Sequence, residues 1–436
     1  MPPRTSTSSG STRQVALEAG TLLVLALALG IGFTFLGRHA LIADEGVHVQ
    51  QIQSFVAGDY RLHPAITQLP GYHAVIAALA RLTGRSSLFA LRLFSCIVSA
   101  CAVPAFLAVA RTVDRQGALI KTVQFAFLPI LFPYFFLVYT DLLSLTFVLV
   151  GLFFTLRSRP LPAALAALAS MLVRQNNILW ALFFWMLFLI RDLSIRDVGL
   201  LVEREEEHVE IRLGWRRKRR GLGTWLLRTW PFGVLVVLFA GFAWWNSGVA
   251  IGDPLSHPFP SFHLGNVYFF LFVFFLLLLP AHLANAPRVL RALRGWGFPL
   301  FILLAIGFGA VFLRTFVNDH PDNQTQYLFF LRNQLLVLFS SGTEWKLAMF
   351  APVLLGTLAA CVTRLRPAYG YLLYPFTFLF LGSSWLIEQR YYLIPLSLFL
   401  LFRVRAHPAW EWALAGAFLV GTAVLFEGIV AGEYFL

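Results

Sequence analysis

Residues 161–190 read LPAALAALASMLVRQNNILWALFFWMLFLI. As one helix, this stretch would carry Arg174-Gln175-Asn176-Asn177 at mid-membrane. It would also place the basic residues Arg157 and Arg159 on the opposite side from the basic stretch Arg191 to Arg228. Backbone and charge both resist that arrangement, because polar groups in hydrocarbon need partners and basic connections gather on the cytosolic side. Two short spans, Leu161 to Val173 and Ile178 to Ile190, with the polar tetrad at their outer turn, satisfy both constraints. This choice fixes the sidedness of every later connection.

The rest of the chain supports an all-α polytopic membrane protein. Of 436 residues, 58% are hydrophobic and only 13% charged, well outside the soluble range. Apolar runs predict about thirteen transmembrane helices, twelve to fourteen, in a single multi-span domain over residues 1–436. The first, about Ala19 to Leu36, is too long for a signal-peptide core and no small-residue cleavage site follows it. Next come Leu88 to Ala110, Val123 to Val138, Leu142 to Leu156 and the two short spans above. The remainder are Pro231 to Trp245, Val267 to Pro280, Phe298 to Leu313, Leu347 to Val362, Ala368 to Leu386, Tyr392 to Phe402 and Trp410 to Leu425.

The net charge of +13 follows membrane topology rather than nucleic-acid binding, because Lys and Arg cluster in alternate connections. The densest cluster, Trp215 to Arg220 within the basic cytosolic loop 191–228, reads as an electrostatic anchor to anionic lipid. Cys96, Cys101 and Cys361 all fall in apolar spans, which indicates neither a disulfide framework nor a metal quartet.

On the outer side lie connections poor in Lys and rich in His, Asp, Asn, Gln and Tyr: 38–87, 139–141, 174–177, 247–266, 316–346 and 388–390. Such side chains hydrogen-bond sugar hydroxyls and phosphate oxygens. The first outer loop, 38–87, opens with the acidic pair Asp44-Glu45 just beyond a span, where two adjacent carboxylates are costly unless solvated. Two interfacial helices are expected in it, Val47 to Val56 ended by Gly58-Asp59, and Tyr72 to Leu82.

Taken in order, these outer pieces resemble the eukaryotic dolichyl-phosphoglucose-dependent α-1,2-glucosyltransferases of asparagine-linked glycosylation, which add the terminal glucose to the lipid-linked oligosaccharide. The residues that carry the resemblance are Asp44-Glu45 with His48, Gln50, Gln51 and Gln53, then Ile66-Thr67-Gln68-Leu69-Pro70-Gly71 and Tyr139-Thr140-Asp141. Arg174-Gln175-Asn176-Asn177-Ile178-Leu179-Trp180, Gly252-Asp253 with His257, His320-Pro321-Asp322-Asn323, and Glu388 with Arg390-Tyr391-Tyr392 complete the set.

The resemblance implies a GT-C-like fold with its catalytic acid in the first outer loop. It implies dolichyl phosphate β-glucose as donor and a diglucosylated high-mannose dolichyl-diphosphate oligosaccharide as acceptor. A β donor giving an α product requires inversion. Asp44 is the first choice for general base, with Glu45 as the other candidate for that role or for orienting the acceptor. Arg390, Arg332, Arg174 and His257 are candidates to stabilise the leaving phosphate. His48, Gln53, Thr67, Tyr139, Asp141, Gln175, Asn176, Asp253, His320, Asp322, Asn323, Glu388 and Tyr391 are further candidates for substrate binding. No cofactor is expected, and the sequence leaves divalent-metal use open. A eukaryotic source implies the endoplasmic reticulum membrane with a lumenal site, a prokaryotic one the plasma membrane.

Three departures from the family bear on the acceptor: the outer loop is shortened between His320-Pro321 and Asp322, Gln324-Thr325-Gln326 stands where basic and aromatic residues are expected, and His63 where an acidic one is. A distant GT-C enzyme acting on another polyprenyl-linked glycan is therefore the nearest alternative. A transporter is the alternative of another class, but it would favour inverted repeats and mid-membrane charges, and no repeat is visible here. Singly, the candidates also have structural readings: Asp141 as a helix cap, Arg174 as a snorkelling side chain, the histidines as solvated loop residues.

Overall fold

The computed structural model describes residues 8–192, 222–253, 258, 261–295, 297–324 and 334–435. His257, Arg332 and the Trp215 to Arg220 cluster lie outside the described residues. What is described is almost entirely helical; a single antiparallel bridge, Leu365 to Arg403, is the one extended pairing among the described residues.

In chain order the first helices are α1 (Ser8–Leu36), α2 (Glu45–Ala57), α3 (Gly71–Thr83), α4 (Leu88–Ala100), α5 (Ala102–Val113), α6 (Ala118–Ala126), α7 (Asp141–Leu156), α8 (Pro160–Val173) and α9 (Ile178–Asp192). They are followed by α10 (Leu222–Trp245), α11 (Gly265–Leu277), α12 (Leu279–Ala292), α13 (Gly297–Thr315), α14 (Pro321–Gln324), α15 (Gln334–Ser340), α16 (Thr343–Val362), α17 (Leu373–Gly382), α18 (Leu393–Phe402) and α19 (Pro408–Ala431).

Among the described residues, six helical stretches are long and apolar enough to cross a membrane alone, within α1, α4–α5, α10, α13, α16 and α19. A seventh is obtained if α11 and α12, bent by 93° at Leu278, count as one. The expected thirteen crossings are therefore not reached by length alone; α7, α8, α9, α17 and α18 are apolar but short.

The break inside 161–190 is present. Helix α8 ends at Val173, Arg174 is extended (φ −144°, ψ 106°), and a 3-10 turn, Gln175–Asn177, leads into α9. At the far end Arg191 donates to the carbonyls of Thr155 and Leu156 at 2.8 and 2.9 Å, so α9 returns the chain to the level at which α8 began. The basic residues Arg157, Arg159 and Arg191 thus share one end and the polar tetrad occupies the other.

One expected span is corrected. Val123 to Val138 is not a helix: α6 stops at Ala126, and only a 3-10 turn, Phe132–Phe135, follows. Pro129 and Pro133 explain this, since a proline inside a helix removes a hydrogen bond and clashes with the carbonyl four residues back. The irregular backbone from Leu128 to Tyr139 is buried in protein, where its polar groups find partners away from lipid.

The first outer loop is folded as anticipated, with α2 ended by Gly58 in the left-handed region (φ 89°). Its helices are packed into the protein core. Val49, Ile52 and Phe55 of α2 and Tyr72, Ile76 and Ala80 of α3 share a core with Leu91, Phe94, Leu143 and Val173. Gly71 lies against the Leu172 carbonyl, where any side chain would collide, so α3 seats directly on the end of α8.

Candidate active site

Four connections meet at the end of the bundle opposite the basic residues. Asp44 closes the turn between α1 and α2, and its backbone N–H donates to the Tyr139 hydroxyl at 2.9 Å. Its side chain is 36% exposed, and Oδ2 lies 3.4 Å from Nη1 of Arg390. Arg390 comes from the 3-10 turn before α18, where its Nε donates to the buried carboxylate of Glu388. Its guanidinium also sits over the Tyr139 and Tyr391 rings, 5.7 and 5.9 Å from their centroids.

Arg174, from the break between α8 and α9, also lies over the Tyr391 ring, 5.4 Å from its centroid, and pairs with Asp141 at the start of α7. Burial opposes the charge on Arg390, but Glu388 and then Asp44 hold its pKa well above the ordinary value. Burial and then Glu388 push the Tyr391 hydroxyl up to about 12, so it stays a neutral donor.

His48, one turn into α2, completes the cluster. Its Nδ1 lies 2.9 Å from Nε2 of His73 on α3, and its ring meets that of Tyr139 edge-on, centroids 5.3 Å apart. Burial, opposed by Asp44 and reinforced by Arg390 and Arg174, pushes its pKa down to about 4. His48 is therefore neutral at pH 7 and can donate or accept a hydrogen bond, not supply a charge.

The adjacent acids have unlike surroundings. Glu45 is fully buried: Oε1 accepts from Val138 N–H and Arg92 Nε, and Oε2 from Ile42 N–H and Arg92 Nη2. Asp44 is the member of the pair that faces outward.

Other sequence candidates brace the loops around the cluster. Gln175 donates to the carbonyls of Thr67 and Val249 at 2.7 and 2.8 Å and accepts from Leu69 N–H. It therefore ties two outer connections together, and Thr67 contributes its backbone. Gly252 packs against the Pro64 and Ile66 carbonyls, and Asp253 follows it, exposed, with φ 45°. His320 is buried against Trp385, ring centroids 4.7 Å apart, and its Nδ1 accepts from Asp322 N–H. Asn323, with its amide nitrogen turned to the Ile387 carbonyl, pairs with that residue's backbone at 3.1 and 3.2 Å. This stretch supports the Glu388–Arg390 turn from behind.

Asn176 is half-buried beside Arg174, and Gln53 is exposed on the far face of α2 from His48. The buried amide on that helix is Gln51, which bonds Arg61 and His63 backbone at 3.1 and 2.6 Å. His63 itself caps a turn, accepting from Ala65 N–H.

Three contributors were not anticipated. Arg92 holds Glu45, His73 holds His48, and Asn266 donates to Ser384 and Leu386 while accepting from Glu388 N–H. A lone arginine in the apolar run 88–110 was the available signal for the first. Among the described residues no group of three or more His, Cys, Asp or Glu side chains is placed to hold a metal ion.

Chemically, the arrangement offers an accessible carboxylate beside guanidiniums and aromatic faces. The carboxylate can take a proton from an attacking hydroxyl, the guanidiniums can neutralise a departing phosphate, and the rings can face a sugar.

Residues 39–403 match the profile of the DIE2/ALG10 family. Over 431 residues the chain is 24% identical to a Drosophila melanogaster Dol-P-Glc:Glc(2)Man(9)GlcNAc(2)-PP-Dol alpha-1,2-glucosyltransferase, covering 92% of each protein. It is 26% identical to the Arabidopsis thaliana enzyme of the same name, over 87% of this chain and 89% of that one. Among solved structures, ArnT from Cupriavidus metallidurans bound to undecaprenyl phosphate aligns with 98% of this chain and 78% of its own, at TM-score 0.43 and 17% identity.

Proposed function

The chain belongs to the DIE2/ALG10 family, and from that premise we propose that it is an inverting, membrane-embedded α-1,2-glucosyltransferase. Its donor is dolichyl phosphate β-glucose and its acceptor a diglucosylated high-mannose dolichyl-diphosphate oligosaccharide. The observation that carries the mechanism is the contrast within the acidic pair: Glu45 is buried and saturated, whereas Asp44 is partly exposed beside Arg390.

In the reaction the acceptor 2-hydroxyl oxygen attacks the anomeric carbon from the face opposite the phosphate. Asp44 takes the hydroxyl proton, the bond from C1 to the phosphate oxygen breaks, and dolichyl phosphate leaves with the electron pair. Attack from the opposite face turns the β donor into an α product. Arg390 and Arg174 offset the charge that grows on the phosphate, and Tyr391 and His48 are neutral hydrogen-bonding groups for the sugar. Within this reading the short helices α7, α8, α9, α17 and α18 are short crossings of a GT-C architecture with about thirteen passes, and the site opens to the lumen of the endoplasmic reticulum.

The test is glucosyl transfer by Asp44→Asn enzyme supplied with polyprenyl phosphate glucose, together with mass analysis of lipid-linked oligosaccharides in cells that lack the protein. Loss of transfer and accumulation of a glycan one terminal glucose short are expected. Normal transfer by the variant would remove Asp44 from the mechanism, and a normal glycan profile would exclude the assigned acceptor.

A further inference from the structure

Arg92 lies on α4, outside every outer connection, yet it is fully buried and all five of its N–H groups are used. Nη1 donates to the carbonyls of Leu36 and His39 at 2.6 and 2.7 Å, and Nη2 to that of Ala40 at 2.8 Å. The remaining donors reach Glu45, Nε to Oε1 at 3.0 Å and Nη2 to Oε2 at 2.5 Å. Each Glu45 oxygen accepts one further backbone N–H, Val138 on Oε1 and Ile42 on Oε2, both at 2.9 Å.

The bonds converge on one short piece of chain. Leu36 is the last residue of α1, and its carbonyl is among those a helix end leaves unpaired. His39, Ala40 and Ile42 lie along the connection to α2, and Asp44 follows. Between them Ala43 adopts φ 48°, a left-handed conformation that a residue with a Cβ keeps only when its surroundings impose it. The Arg92–Glu45 pair, joined by the Tyr139 hydroxyl on Asp44 N–H, supplies that imposition.

From this geometry we infer that Arg92 is a positioning residue for the transfer reaction: through Glu45 and three backbone carbonyls it fixes the turn that aims the Asp44 carboxylate. The inference rests on Asp44 as the base. Its chemistry requires a guanidinium, because an ammonium has three donors at one point and cannot span two carboxylate oxygens and three separated carbonyls. It also gives the second acid of the pair a role distinct from proton transfer.

The experiment compares Arg92→Lys, Glu45→Gln and Asp44→Asn enzymes in detergent or nanodiscs, with activity counted per folded molecule from the melting curve. Arg92→Lys and Glu45→Gln are expected to lower kcat about 10- to 100-fold, the scale for a misplaced catalytic group, with KM for the polyprenyl phosphate glucose donor changed less than about threefold. A packing role alone predicts less folded enzyme with kcat per folded molecule unchanged, and that result from either variant overturns the inference. The Asp44→Asn arm separates the two levels. If it transfers glucose normally, the assignment of the base fails; if it is inactive while the other two turn over normally, only the role of Arg92 fails.

Discussion

Removing Arg390 alone should do two separable kinds of damage. The guanidinium is 7% exposed and Glu388, to which it donates, 1%, so Arg390→Gln removes a cation from a buried carboxylate and from beside Asp44. Breaking a buried pair by deleting one partner costs about 3–5 kcal/mol of stability. Losing one preorganised donor to a developing negative charge costs a further 10²–10³-fold, roughly 2.7–4 kcal/mol, in turnover. The double variant Glu388→Gln/Arg390→Gln removes both charges of the buried pair, while the phosphate still lacks its cation. Melting temperature should recover most of the loss seen in the single variant, and kcat for glucosyl transfer should not. The backbone N–H of Glu388 keeps its bond to Asn266 in all variants, which limits collateral change. A double variant that turned over at the wild-type rate would refute Arg390 as the phosphate-facing cation, and one that melted as low as the single variant would refute the broken buried pair as the source of the lost stability.

Acid should loosen the site through His48. Its pKa is about 4 in the folded protein against 6.5 unfolded, so its stabilising contribution is complete above pH 6.5 and is lost as pH falls toward 4; burial also holds its partner His73 well below the ordinary value, so His48→Gln should make the melting-temperature profile shallower over that window and His48→Gln/His73→Gln should flatten it. At the opposite end Arg403 binds both oxygens of Glu411 and the Gln124 amide at 2.6–2.8 Å, all buried. Arg403→Met should cost about 3–5 kcal/mol in denaturant or thermal unfolding, with kcat per folded molecule unchanged. Ala43→Val places a β-branched residue at φ 48° and should reduce both melting temperature and kcat, whereas Ala43→Gly should be tolerated. Gly252→Ala would push a methyl group into the Pro64 carbonyl, so separation of the two loops should appear as faster proteolysis near residues 64–69 and a melting loss of about 1–3 kcal/mol equivalent.

Much of the fold was readable because charge in a membrane protein has few permitted places. Arg174 and Asn177 resist a place at mid-membrane, and the basic residues on either side of 161–190 belong on one side; together these called for the break between α8 and α9. Pro129 and Pro133 were as visible as Arg174, but the apolar run 123–138 outweighed them, since hydropathy registers transfer energy and not the missing N–H. The bend between α11 and α12 falls just before Pro280, where the expected span Val267 to Pro280 also ends. At the site, the ordered pieces that carry the family resemblance contain Asp44, Tyr139, Asp141, Arg174, Glu388 and Arg390, which the structure brings together. The choice between Gln51 and Gln53 was decidable from periodicity: Gln51 lies three residues after His48 and shares its buried face, whereas Gln53 is five residues on and points away. Asp44 and Glu45 were not separable, because the group that distinguishes them, Arg92, sits 47 residues later and meets Glu45 only in the fold.

Helix α18 links the two ends of this logic. All ten of its residues are buried, so it has no lipid-facing side along which its flanking arginines could adjust. Arg390 precedes it among Glu388, Asp44 and the tyrosines, and Arg403 follows it in the Glu411–Gln124 network. Lys121 fastens the same far end by donating to the carbonyls of Leu401 and Arg403 at 2.9 and 2.8 Å, while Asn266 fastens the near end through Glu388 N–H and the Tyr392 hydroxyl. A helix of ten residues rises only about 15 Å, roughly half a bilayer core, which is too short to hold its own depth by hydrophobic matching. Fixed polar partners at both ends therefore take over the task that lipid performs for longer spans, and those at the near end, Glu388 and Asn266, fix where Arg390 meets the carboxylate of Asp44.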